Sequence, residues 1–140
     1  MEDKKITVET VVNKPIEIVW DAWNNPEHMT KWNFASDDWH SPSAQNDLKI
    51  GGRFSARMEA KDGSTGFDFG GIYTNIEEKA VIEYTMDGED QRKVKVTFET
   101  VEGGTKVTET FDAENVNTIE KQKGGWQSIL DNFKKYTESL

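Results

Sequence analysis

His40 is one candidate in this chain for acid–base chemistry. It follows two aspartates and Trp39. Because histidine titrates near neutral pH, His40 could act as a general acid or base, and Asp37 or Asp38 could orient its ring. A hydrolytic triad would also require a nucleophile, and the sequence contains no G-x-S-x-G elbow. The alternative interpretation is a histidine packed in a loop beside Trp39.

Glu109 is the second candidate, because it lies between Val107 and Phe111 in an alternating segment. A β-strand there would place the carboxyl on the same face as two apolar side chains. If that face is buried, the carboxyl must be paired, hydrogen-bonded or protonated, since an isolated buried charge is very costly. Arg57 is its predicted partner, and such a carboxyl could recognise a ligand or act as a base. The sequence leaves open the other interpretation, an edge-strand glutamate in water.

The elements that position these residues begin with a strand and two short helices. Lys5–Val12 alternates between apolar and polar residues, which predicts the first strand. Asn13-Lys14-Pro15 then provides a cap and a first-turn proline, and apolar residues at spacings of three and four predict a helix to Trp23. Asn25-Pro26 starts a second short helix. The segment Asn33–Asp47 has no period and is predicted to be a loop, of a length that is often functional.

A series of strands follows, and it ends in a long helix. Alternating segments and turn signals from Leu48 to Phe111 predict an antiparallel meander. Within it, Gly70-Gly71 marks a bulge or a close approach of the backbone. From Glu114 to Leu140, apolar and aromatic residues recur at spacings of three and four, which predicts an amphipathic helix. Gly124-Gly125 interrupts this pattern: either the helix starts later or kinks there, or the sheet lies too close for a side chain.

Composition narrows the functional classes. A chain of 140 residues suits one domain over 1–140, with 11% aromatic residues to fill its interior. The net charge of −9 and the absence of a basic run argue against nucleic acid and membrane partners. The chain has no cysteine, which excludes disulfides and zinc–thiolate sites, and no motif suggests another metal or a cofactor. Neither a signal peptide nor a membrane span is visible, so we expect a cytoplasmic protein.

Five short patterns, in their order along the chain, resemble a known family. They are Pro15-Ile16-Glu17-Ile18-Val19-Trp20-Asp21-Ala22-Trp23, Gly51-Gly52-Arg53-Phe54, Gly71-Ile72-Tyr73, Gly103-Gly104-Thr105-Lys106-Val107-Thr108 and Gly125-Trp126-Gln127-Ser128-Ile129-Leu130-Asp131-Asn132-Phe133. Over essentially its whole length the chain resembles the SRPBCC superfamily (START-like, or birch-pollen-allergen-like), in the branch named after the activator of the heat-shock-protein-90 ATPase. The resemblance implies an α+β helix-grip fold, in which a curved antiparallel β-sheet wraps around a long C-terminal α-helix, with two short helices after the first strand.

The resemblance also implies a cavity between the sheet and the C-terminal helix, where members bind or act on apolar or amphipathic small molecules. We therefore expect this chain to bind a small hydrophobic or amphipathic ligand, although the same side chains could instead fill a core. The predicted ligand contacts are Trp39, Phe54, Arg57, Met58, Tyr84, Glu109, Trp126 and Phe133, with His40 as a further polar group.

Two alternative functions use the same fold. One is an enzyme of the cyclase or hydrolase type, with His40 or Glu109 as the base. The other is an interaction module that stimulates a chaperone ATPase. The co-chaperones that give the branch its name carry an additional N-terminal domain, whereas this chain begins at its first strand. We therefore rank the chaperone role below the other two. The sequence determines neither the ligand nor the oligomeric state.

Overall fold

The computed structural model describes residues 5–34, 38–87, 92–113 and 118–140. Within these ranges the chain forms a seven-stranded sheet and three helices. The elements are β1 (Lys5–Val12), α1 (Ile16–Asn24), α2 (Pro26–Trp32), β2 (Trp39–Asn46), β3 (Arg53–Ala60), β4 (Gly66–Glu77), β5 (Val81–Met86), β6 (Lys93–Val101), β7 (Gly104–Asp112) and α3 (Ile119–Glu138).

The sheet is antiparallel and has the order β1-β7-β6-β5-β4-β3-β2. Strands β2 to β7 form a meander, because each pairs with the next along the chain, and β1 adds to the outer side of β7. Side chains alternate between the two faces, so one face is apolar and packs against the helices. This arrangement confirms the predicted fold: a curled antiparallel sheet, two short helices after the first strand and a long C-terminal helix.

Strand β2 corrects the prediction of a continuous loop over 33–47. Trp39–Asn46 pairs with β3, with a register shift between His40 and Ser43 that spans Pro42. An edge strand with such a shift has no steady alternation of apolar and polar residues, and proline is tolerated there because no ladder hydrogen bond is lost. The sequence therefore lacked the period that identified the other strands.

Side-chain caps begin α2 and α3, whereas α1 begins after Pro15 with no side-chain cap. The Asn25 side chain accepts a hydrogen bond from the backbone N–H of Glu27 at 3.0 Å, and Pro26 occupies the first turn of α2. The Thr118 hydroxyl accepts one from Lys121 N–H at 3.1 Å and begins α3. Residues of α2 and of the first turns of α3 line the same cavity.

The structure contradicts two of the three explanations predicted for the glycine pair of α3. The helix begins at Ile119, before both Gly124 and Gly125, so a later start is wrong. A Cβ atom built on either glycine has no described atom within 4 Å, so the sheet does not crowd them. Open space surrounds both positions, and the kink remains a prediction.

Candidate functional site

A cavity of about 370 Å³ lies between the concave face of the sheet and the helices. Its walls come from β3, β4, β5 and β7 on one side and from α1, α2 and α3 on the other. Most of the lining side chains are aromatic or aliphatic. The described residues that line it are Trp23, Met29, Trp32, Asn33, Phe54, Met58, Phe67, Phe69, Tyr73, Ile82, Tyr84, Met86, Arg92, Glu109, Lys121, Gln122, Gly125, Trp126 and Ile129.

Aromatic rings that pack on one another build the sheet side of the cavity. Phe54 meets Tyr84 edge-on, with ring centroids 4.6 Å apart, and also contacts Phe69 at 6.0 Å. Trp126 of α3 stacks on Phe111 at 3.9 Å and 14° and meets Phe69 edge-on at 6.0 Å. Such contacts hold each ring in one orientation. The walls are therefore preformed and do not depend on a ligand to arrange them.

The glycine pair of β4 lies very close to the backbones of the two neighbouring strands. Residues directly opposite each other in neighbouring strands share a face, and Phe54 of β3 lies opposite Gly71 of β4. A Cβ on Gly71 would lie 2.5 Å from the backbone oxygen of Thr85 and 3.1 Å from a ring carbon of Tyr84. A Cβ on Gly70 would lie 2.4 Å from the backbone oxygen of Phe54. The predicted close approach at Gly70-Gly71 is therefore confirmed.

Glu109 lies on the concave face of β7 and is only 4% exposed. Strand β7 is flanked by β1 and β6, so the edge-strand interpretation is wrong. Burial raises the pKa of the carboxyl from 4.5 to about 8. No side chain in the described part of the chain gives the carboxyl a hydrogen bond or an ion pair. Glu109 is therefore mostly protonated at neutral pH and faces the cavity.

Two tyrosines of the sheet bring hydroxyl groups to the cavity. Burial raises the pKa of Tyr84 well above its usual value, and the nearby carboxyl of Glu109 raises it further. The Tyr73 hydroxyl donates a hydrogen bond to Asn46 Oδ1 at 2.6 Å, and burial raises its pKa. Asn46 in turn donates to the backbone oxygen of Asn24 at 2.7 Å. This network ties β4 to β2 and to the end of α1.

Arg57 is not the partner of Glu109, contrary to the prediction. Its Nε donates to Glu59 Oε2 at 2.9 Å, and its Nη1 lies 3.6 Å from Asp68 Oδ1. The physical reason is the strand period of two, which places Arg57 on the face opposite Phe54. These two carboxylates raise the pKa of Arg57, and the hydrogen bond that Arg57 donates to Glu59 is the largest cause.

His40 and Trp39 lie at the edge of the sheet, and neither is among the described residues that line the cavity. His40 Nε2 is 3.7 Å from Glu59 Oε1, and Trp39 packs against Phe67 with centroids 5.8 Å apart. Asp37, which the sequence suggested as an orienting group, lies outside the described residues. The structure thus separates His40 from Glu109, and the two do not share a site.

Phe133 is fully buried behind the cavity. Its ring contacts Trp23 and Trp32, each with centroids 4.9 Å away.

Five of the predicted contacts do line the cavity together: Phe54, Met58, Tyr84, Glu109 and Trp126.

Sequence reasoning missed several wall residues. Phe67 and Phe69 stand two residues apart before Gly70-Gly71, and this spacing in a strand is the signal that could have found them. Trp23 and Trp32 were assigned to helices but not to the cavity, because their contact depends on how α1 and α2 dock against α3. Phe67 remains 48% exposed, which places it at the mouth.

In the described part of the chain, no helix is long and apolar enough to cross a membrane. Nor do the described His, Asp and Glu side chains form a group of three that could hold a metal ion.

A family model and solved structures of other proteins both match this chain over nearly its whole length. A family model described as Activator of Hsp90 ATPase homolog 1-like protein matches residues 13–138. The solution structure of such a protein from Aeromonas hydrophila is 49% identical, with 97% of this chain and 93% of that one covered and a TM-score of 0.91. A protein from Cytophaga hutchinsonii is 51% identical over 96% of this chain and 92% of that chain, with a TM-score of 0.81.

A more distant structure shares the fold alone. A protein from Chromobacterium violaceum is 21% identical over 96% of both chains, with a TM-score of 0.84. No curated protein sequence matches this chain.

Proposed function

We propose that this chain, which belongs to the family of activator of Hsp90 ATPase homolog 1-like proteins, binds a small, partly apolar molecule between its sheet and α3. The observation that carries the proposal is the preformed cavity of about 370 Å³ with aromatic walls. Ligand sites in proteins typically have volumes of about 300–1,000 Å³ and combine apolar walls with a few polar groups. This cavity has that size and that composition.

Stability alone gives no reason to keep such a space open. In this protein, Phe67, Phe69 and Trp126 all retain exposed surface around the cavity. A bound apolar molecule would remove that surface from water, at about 25 cal/mol per Å².

Gly125 offers a direct way to block the cavity. It lines the cavity, and a Cβ there meets no described atom within 4 Å, so a tryptophan side chain would enter open space. Gly124 has the same open surroundings but is exposed and is not part of the described lining. Gly124→Trp is therefore the matched control, one residue away in the same helix.

The test uses a neutral naphthalene dye, 6-propionyl-2-(dimethylamino)naphthalene, whose emission shifts to the blue in apolar surroundings. We expect one dye molecule to bind per chain, with affinity reduced at least about tenfold by Gly125→Trp and unchanged by Gly124→Trp. Both variants should remain helical by circular dichroism, because tryptophan is a better helix former than glycine. Equal dye affinity in the two variants would overturn the proposal. If the two variants differ as expected, native mass spectrometry after exposure to host extract would identify the natural ligand.

Stimulation of a chaperone ATPase is a second candidate, favoured by the description of the matching family model. It predicts that added protein raises the turnover of the chaperone of the same host. It also predicts that Gly125→Trp leaves this effect intact, because docking on a protein surface does not need the cavity. No change in chaperone turnover would remove this candidate.

An enzyme of the cyclase or hydrolase type is the third candidate, and Glu109 in the cavity is its possible base. It predicts product formation with a bell-shaped pH profile that Glu109→Gln abolishes. His40 lies outside the described lining of this cavity, so His40→Ala should leave the profile unchanged.

A further inference from the structure

Glu109 and Tyr84 bring two polar groups to the cavity that no described residue satisfies. The Glu109 carboxyl is 4% exposed, and the Tyr84 side chain is also buried. Neither group makes a hydrogen bond within the described ranges, although both residues line the cavity. They are close enough for the charge of Glu109 to act on Tyr84. Buried polar groups are normally hydrogen-bonded, so this pair is prepared for a partner from outside the chain.

The other titratable groups around the cavity indicate which partner fits. In the described lining these are Tyr73 of β4, Arg92 before β6 and Lys121 of α3. Glu109 is the one carboxyl-bearing residue of the described lining. Two protein cations in the same cavity disfavour a cationic ligand. Burial raises the pKa of Glu109 to about 8, so its carboxyl carries a proton at neutral pH. A neutral carboxyl in an apolar site is a hydrogen-bond donor, and so is a tyrosine hydroxyl.

We propose that the ligand is an uncharged molecule with an apolar, aromatic body and a carbonyl oxygen that accepts a hydrogen bond from the Glu109 carboxyl, with the Tyr84 hydroxyl as a second donor. This inference rests on the proposed function, because it assigns the polar contact inside the same cavity. Ring contacts orient the ligand body, and the carbonyl fixes which end enters first. An alkene of the same shape leaves both donors unsatisfied, which is costly in a buried site.

Two uncharged probes of nearly identical shape test this contact. 2-Acetylnaphthalene carries a carbonyl, and 2-isopropenylnaphthalene replaces its oxygen with a methylene group. We expect the ketone to bind about tenfold more tightly at pH 6.5, as measured by ligand-observed NMR titration. In Glu109→Leu the preference should fall to about threefold or less, because only the Tyr84 hydroxyl still donates. Glu109→Gln should keep the full preference, because the amide also donates.

The pH dependence provides a second readout. Raising the pH deprotonates Glu109, so the ketone should bind about tenfold more weakly at pH 9 than at pH 6, given a pKa of about 8. Gln at position 109 does not titrate, so Glu109→Gln should remove this decline. A structural role for Glu109 alone would not produce a loss that is specific to the ketone.

Failure of this inference and failure of the proposed function give different results. If both probes bind equally and Gly125→Trp blocks both, the cavity binds ligands and the carbonyl inference is wrong. Equal affinities of Gly125→Trp and Gly124→Trp for both probes would instead overturn cavity binding itself. Tighter binding of the ammonium probe 1-(2-naphthyl)ethylamine than of the ketone, abolished in Glu109→Gln, would show that the site pairs a cation and would also overturn the inference.

Discussion

The buried carboxyl of Glu109 makes the stability of this protein depend on pH in a defined window. When the chain unfolds, the carboxyl regains its ordinary pKa of 4.5, whereas in the folded protein burial raises it to about 8. Between these values the unfolded state binds fewer protons than the folded state. The contribution of Glu109 to the free energy of unfolding therefore falls as the pH rises from about 4.5 to about 8 and is constant above that.

The size of this loss in free energy follows from the difference between the two pKa values. Each pH unit in the window changes the free energy of unfolding by about 1.36 kcal/mol, so the full loss between 4.5 and about 8 is about 5 kcal/mol. Glu109→Gln keeps the shape and cannot ionise. Its stability advantage over the parent chain should therefore grow by about 4 kcal/mol between pH 5 and pH 9.

Urea unfolding followed by tryptophan fluorescence, at one-unit steps from pH 5 to pH 9, measures this difference. The matched control is Glu102→Gln, since Glu102 is exposed in the turn between β6 and β7. Its difference from the parent chain should stay constant across the series. Parallel curves for the parent and Glu109→Gln would refute the reasoning, because the folded carboxyl would then ionise as easily as the unfolded one.

Three further predictions concern helix α3. Gly124→Ala and Gly125→Ala should each raise the free energy of unfolding by about 1 kcal/mol, because neither Cβ meets a described atom within 4 Å; a loss in urea unfolding would contradict this. Phe133→Leu should cost about 1.5 kcal/mol without changing naphthalene-dye affinity, since its ring lies behind the cavity, and a weaker dye complex would contradict that position. Tyr136→Phe removes the hydroxyl 2.5 Å from His28 Nδ1 and should cost about 1 kcal/mol, whereas unchanged thermal unfolding would show that this bond adds nothing.

The fold was predictable because its signals are local. The alternation in Lys5–Val12, the proline at the start of α2 and the three-and-four spacing of α3 each follow from the geometry of a single element. Strand β2 was missed because it carries no such local signal. Its partner is β3, and nothing within Trp39–Asn46 alternates steadily enough to reveal the pairing.

The candidate site was predictable only in part. Phe54, Met58 and Glu109 were found because alternation places them on one face of a strand. The partner assigned to Glu109 was wrong, because pairing two side chains across a sheet requires the face of each strand as well as the register.

The sequence by itself determined that a sheet must pack its apolar face against an amphipathic helix, since each element buries one face and the periods of two and 3.6 are local properties. Only the tertiary structure decided that this packing leaves space. The cavity depends on Gly125 facing open volume, on Trp126 stacking on Phe111, and on the docking of α1 and α2. The tertiary structure also decided that Glu109 is buried with no partner among the described residues, because burial is a property of all the surrounding elements together.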